Sequence, residues 1–194
     1  MSSFIFLLSL TVSFTLFASP SIADDDAPGR GTSAAANASD VPNDLITQAC
    51  AIAPNKDLCQ QIINSDNMTP KKDLNDLAFI TFEAASTKTV SNIEYITRTS
   101  DTADDSSLKQ IFQECEEQYE GAIDDVDNSV NYLASRTKDD DIQIDGLMKD
   151  AVASIEACQN IVHGKGPKAD QLTKMNLELL DMLKNAVAVF HVIK

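Results

Sequence analysis

Leu108-Lys109-Gln110-Ile111-Phe112-Gln113-Glu114-Cys115-Glu116-Glu117-Gln118-Tyr119-Glu120-Gly121-Ala122-Ile123-Asp124-Asp125-Val126 is the stretch that decides the fold. Leu108, Ile111, Phe112, Cys115, Tyr119, Ala122 and Val126 recur at steps of three and four, and Ser129 and Leu133 extend the series. That spacing marks one buried face of a helix, expected over residues 107–136. Glu114, Glu116, Glu117, Glu120, Asp124, Asp125 and Asp127 fall between these apolar positions. Like charges four residues apart weaken a helix slightly, so local stability does not explain them. A charge run is most often a solvated face. The functional alternative is an acidic patch that meets a basic rim on a partner, with Glu116, Glu117, Glu120 and Asp124 as its contacts.

Three more long helical patterns flank this one. Residues 71–99 carry the least regular stripe: Leu74, Leu77, Ala78, Phe82, Ala85, Val90, Ile93 and Ile96. Residues 142–162 place Ile144, Leu147, Met148, Ala151, Ile155, Cys158 and Val162 on one face, and Gly164-Lys165-Gly166-Pro167 stops the helix. Residues 169–192 continue with Leu172, Met175, Leu179, Met182, Leu183, Ala186, Val189 and Phe190. Upstream, residues 44–50 and 56–63 read as two short helices around Pro54-Asn55. Neither is long enough to stand alone in water. No period-two alternation competes. The expected fold is all-α, an up-down four-helix bundle with an N-terminal helical hairpin.

The amino terminus sets the compartment. Residues 4–18 are nearly all apolar, Ser21-Ile22-Ala23 offers small residues at a cleavage site, and Asp24-Asp25-Asp26 follows. The expected organisation is a signal peptide over 1–23, a flexible tail over 24–41 and one domain over 42–194. Secretion makes the four cysteines a disulfide framework. Three pairings are open, and proximity favours Cys50–Cys59 and Cys115–Cys158. Asn37 and Asn67 head glycosylation sequons, the second followed at once by Pro70. The net charge of −15 repels nucleic acid, anionic membranes and acidic polysaccharides.

Catalytic and metal-binding patterns are missing. The two histidines, His163 and His191, sit near helix ends and read as surface or capping residues. There is no Gly-x-Ser-x-Gly, His-Glu-x-x-His or phosphate loop. Asp139-Asp140-Asp141 with Gln143, Asp145 and Asp150 is a poor calcium loop, with Ile144 where glycine is needed and Asp150 where a bidentate glutamate is needed. No metal, cofactor or catalytic residue is expected. A helical small-molecule carrier, with Met148, Met175 and Met182 lining a pocket, is a remote alternative; methionine on an apolar stripe is usually core.

Taken together, Leu45-Ile46-x-x-Ala49-Cys50 with Cys59, Leu108 to Glu114-Cys115-x-x-x-Tyr119-x-x-Ala122-Ile123, Ala151-Val152-x-Ser154 before Cys158, and the apolar closing helix resemble the plant invertase and pectin methylesterase inhibitor family. The resemblance covers residue 44 to the C-terminus. It implies first–second and third–fourth disulfides, a four-helix bundle with a helical hairpin, no catalysis, and secretion to the apoplast or cell wall, or to the vacuole. It implies a one-to-one complex with pectin methylesterase, covering its substrate cleft, or alternatively with acid invertase. Invertase inhibitors often carry Pro-Lys-Phe between the second and third bundle helices, where this chain has Asp141-Ile142-Gln143. Many esterase inhibitors carry a Trp and Ser-Ala-Ala-Leu-Thr before the fourth Cys, where this chain has no Trp and reads Lys149-Asp150-Ala151-Val152-Ala153-Ser154.

Overall fold

The computed structural model describes residues 43–137 and 139–194. The expected signal peptide, the tail with Asn37, and Lys138 lie outside the described residues. Six helices follow in order: α1 (Asn43–Ala49), α2 (Lys56–Ser65), α3 (Leu74–Asp101), α4 (Ser106–Ala134), α5 (Asp140–Val162) and α6 (Pro167–Ile193). The described residues contain no strand.

Capping sets the helix starts. Asp73 accepts from the backbone N–H groups of Asn75 and Asp76, so α3 begins at Leu74 and not at residue 71. Asp105 accepts from Ser107 and Leu108 and starts α4 in the same way. Asp140 accepts from the backbone and hydroxyl of Thr137, which brings α5 forward to Asp140. Pro167 opens α6 at a position where its missing N–H costs nothing. Gly164 and Gly166 before it adopt φ of 70° and 99°, which suits glycine.

Helices α3, α4, α5 and α6 form a closed ring, each packed on its sequence neighbour, with α6 returning to α3. Helix α4 lies diagonal to α6, which it reaches through the Tyr119 side chain, and it does not pack on the hairpin. The α1–α2 hairpin lies against α3 and α6. The α4 stripe is buried as its spacing requires, from Phe112 through Leu133, with Leu108 and Ile111 half-buried. The cysteine pairs in the structure are Cys50–Cys59 within the hairpin and Cys115–Cys158 between α4 and α5. Met148 and Met182 are buried and half-buried Met175 packs against the same core, so the methionines raised for a ligand pocket belong to the core.

Helix α3 departs from its expected stripe. Val90 is exposed, while Thr81, Thr89, Asn92, Thr99 and Ser100 are buried. The buried hydroxyls of Thr81, Thr89 and Thr99 donate to carbonyls one turn back, at Ala78, Ala85 and Tyr95. Asn92 donates to the Tyr119 hydroxyl (3.1 Å), which donates to Asn176 (2.7 Å). Asn176 in turn donates to Cys158 Sγ (3.2 Å). Burial pushes the Tyr119 phenol far above its usual range, so it stays a neutral hydrogen-bonding group.

The hairpin is held by one buried side chain. Asn185 on α6 accepts from Asn55 N–H (3.0 Å) and donates to Asn55 C=O (2.9 Å). The Asn55 amide also donates to Asp181 (2.9 Å). At the other end of the bundle, Arg136 lies beyond α4, which ends at Ala134. Its guanidinium donates to both oxygens of Asp141, to Asn75 and to the Ile193 carbonyl, and it lies 5.1 Å over the Phe190 ring. The hydrogen bonds from Arg136 hold the Asp141 carboxyl below its usual range.

Candidate interaction surface

The carboxylates expected to form a patch sit on the flank of the bundle that faces away from the hairpin. From Glu114 to Asp127, α4 carries seven carboxylates and no cation. Glu117, Glu120 and Asp124 are exposed. Glu116 is half-buried and turns toward α3, where its carboxylate accepts from Thr97 Oγ1 at 2.5 Å. Glu116 and Glu120 line a groove of 650 Å³ with Ile93, Glu94, Arg98 and Asp101 of α3. The four candidate contacts therefore divide: Glu116 is tied down, and the other three stand free on the surface.

The ion pairs fall elsewhere. Lys88–Glu178, Lys184–Glu156 and the contacts of Asp145 with His191 and Lys194 all involve α6 or the residue after it. Asp141 pairs with Arg136. Among the described residues, no carboxylate from Glu114 to Asp127 has an ion-pair partner. The weak calcium pattern is also accounted for, since Asp140, Asp141 and Asp145 each have a protein partner. His191, expected as a bland surface residue, binds the Asp145 carboxylate at 2.8 Å. Burial opposes the Asp145 charge, but hydrogen bonds from Lys194 and His191 outweigh it and hold its pKa below the usual value.

Asp125 shows the strain of an uncompensated face. Burial, then Asp150 across on α5 and Asp124 beside it, push its carboxyl above the usual range. A carboxyl whose folded pKa is raised binds protons more readily folded than unfolded. It therefore penalises the fold as pH rises through the unfolded pKa and then the folded one. Asp125→Asn is expected to melt higher than the parent at pH 7. The two melting temperatures should converge as pH falls below the carboxylate range. A variant no more stable at pH 7 contradicts this account.

Two glycines on this flank have no structural return. Gly121 lies inside α4 and Gly146 inside α5, both exposed. A Cβ at Gly121 would meet only Ser154 Oγ at 4.0 Å, and one at Gly146 would meet nothing within 4 Å. Each costs about 1 kcal/mol relative to alanine in a helix interior. On α5, helical spacing puts Gly146 on the same outward face as Ile142 and Ala153. Ile142 is 75% exposed although it is a large apolar side chain. Sequence reading singled out the acids here and missed the glycines, because only the structure shows that nothing packs on them.

Asn67 is exposed in the loop between α2 and α3. The described residues contain no cluster of His, Cys, Asp or Glu arranged to hold a metal ion. None of their helices is long and apolar enough to cross a membrane. All four cysteines are in disulfides, which removes the thiol nucleophiles. What the flank can do is bind a cationic surface without covalent chemistry.

Residues 44–189 match a family model described as plant invertase/pectin methylesterase inhibitor. A pectinesterase inhibitor from Actinidia deliciosa is 26% identical over 140 residues, covering 72% of this chain and 74% of the relative. Two solved structures share the fold. A mutant form of a pectin methylesterase inhibitor from Arabidopsis has a TM-score of 0.64 at 16% identity, covering 75% of this chain and 95% of the other. A pectin methylesterase inhibitor from Arabidopsis thaliana has a TM-score of 0.56 at 17% identity, covering 75% and 93%.

Proposed function

Because the chain belongs to the plant invertase/pectin methylesterase inhibitor family, we propose that it is a secreted, non-catalytic inhibitor of pectin methylesterase that binds one-to-one over the substrate cleft. The family match over residues 44–189 carries the reading, and the named relative favours the esterase branch. The outer faces of α4 and α5 supply the contact. Glu117, Glu120 and Asp124 meet basic groups on the rim of the enzyme, and Glu116 supports them from the α3 side. Two disulfides fit a cell-wall setting, where thiols stay oxidised.

Charge reversal tests the contact. Glu117→Lys, Glu120→Lys and Asp124→Lys, made singly, are expected to weaken inhibition about tenfold each, chiefly through slower association at low salt. Their melting temperatures should not fall, since each removes like-charge repulsion on an exposed face. Unchanged inhibition by all three would remove this face from the complex. Inhibition of an acid invertase with every pectin methylesterase unaffected would overturn the target itself.

A further inference from the structure

We propose that Gly121 and Gly146 are contact positions, where a main-chain segment of the basic-rimmed esterase passes close over the outer face of α4 and α5. The assignment rests on the esterase reading above. Both glycines weaken helices that have no packing reason to contain them. Neither marks a helix end or a positive φ; the positive-φ glycines are Gly164 and Gly166. Their sole geometric effect is to lower the surface, so that a partner's backbone can come nearer than any side chain would allow.

The surroundings specify the occupant. Glu117, Glu120 and Asp124 stand unpaired along α4, and Asp124 and, from α5, Asp150 both repel Asp125. Such a face rejects a second copy of this acidic chain and suits a lysine- or arginine-bearing protein. Exposed Ile142 lies one turn from Gly146 on the same face, which adds an apolar anchor at the edge of the contact. The hairpin docks on α3 and α6 and leaves this flank open.

The test separates stability from binding. Gly121→Gln and Gly146→Gln introduce a good helix former that has room on the free protein but intrudes on a bound segment. Each is expected to raise the melting temperature of the free inhibitor while weakening pectin methylesterase inhibition at least tenfold. Lys174→Gln, at an exposed position of α6, should leave inhibition unchanged. If the wild-type protein inhibits and both glutamine variants inhibit as tightly, the assignment of the glycines is wrong and the functional reading stands. If the wild-type protein inhibits no pectin methylesterase, the functional reading falls and takes this assignment with it.

Discussion

Replacing Cys115 and Cys158 together by alanine is expected to cost about 4 kcal/mol of stability, from the loop entropy that the bridge removes from the unfolded chain. The two residues are 43 apart in sequence and tie α4 to α5 inside the core. The variant should melt roughly 10 °C below the parent, on the scale of 2–4 °C per kcal/mol for a domain of this size. The packed interior adds to this loss. Asn176 donates to Cys158 Sγ, and its other contact, Tyr119, links onward to Asn92 on α3. Removing the sulfur leaves a buried amide hydrogen without a partner, which is costly in itself. Urea unfolding of both proteins, reduced and oxidised, measures the difference. A loss below 1 kcal/mol would show that the ring of helices closes without its bridge.

The second large effect is local. Asn185→Leu is expected to release the α1–α2 hairpin at a cost of roughly 2–4 kcal/mol, since the N–H and C=O of Asn55 both lose their partner. Leucine keeps the branching of the side chain but offers neither donor nor acceptor. The Cys50–Cys59 bridge keeps the hairpin itself closed, so it should leave as a unit and uncover part of α3 and α6. Hydrogen exchange is the direct probe. Amides of α2 should lose protection while those of α4 and α5 keep theirs. Unchanged exchange in α2 would mean that Ile46, Ile62 and Ile63, which bury the hairpin's apolar faces, suffice to dock it.

The bundle was legible in the sequence because α4 and α5 follow one rule. Phe112, Cys115, Tyr119, Ala122 and Val126 are apolar where the helix turns inward, and periodicity needs nothing more. Helix α3 broke that rule at Thr89 and Asn92, which are buried, and at Val90, which is exposed. Thr89 and Asn92 are accommodated by hydrogen bonds, to Ala85 in the same helix and across the core to Tyr119, and no hydropathy pattern encodes those. Arg136 lies just past the end of α4. Its partners Asn75, Asp141 and Ile193 come from three separate segments, so only the folded chain reveals them.

The candidate surface was legible in its charge and not in its shape. Seven carboxylates without a cation are visible in the letters of α4 between Glu114 and Asp127. That the compensating cations lie on the α6 side is not visible there, because it depends on α4 and α6 being diagonal in the ring. Glu116 and Glu117 are adjacent in sequence yet differ in role, one hydrogen-bonded to Thr97 and the other free. Gly121 and Gly146 carry no sequence signal beyond their poor helix propensity. Their meaning lies in the empty space around them.

The proposed one-to-one, reversible inhibition of pectin methylesterase has a direct test. Titrating the disulfide-intact protein against a panel of plant pectin methylesterases, with an acid invertase assayed in parallel at mildly acidic pH, tests it most directly. The expected result is saturable loss of methyl-ester hydrolysis at one inhibitor per enzyme, recovered on dilution, with sucrose hydrolysis untouched. Full esterase activity across the panel at micromolar inhibitor would contradict it.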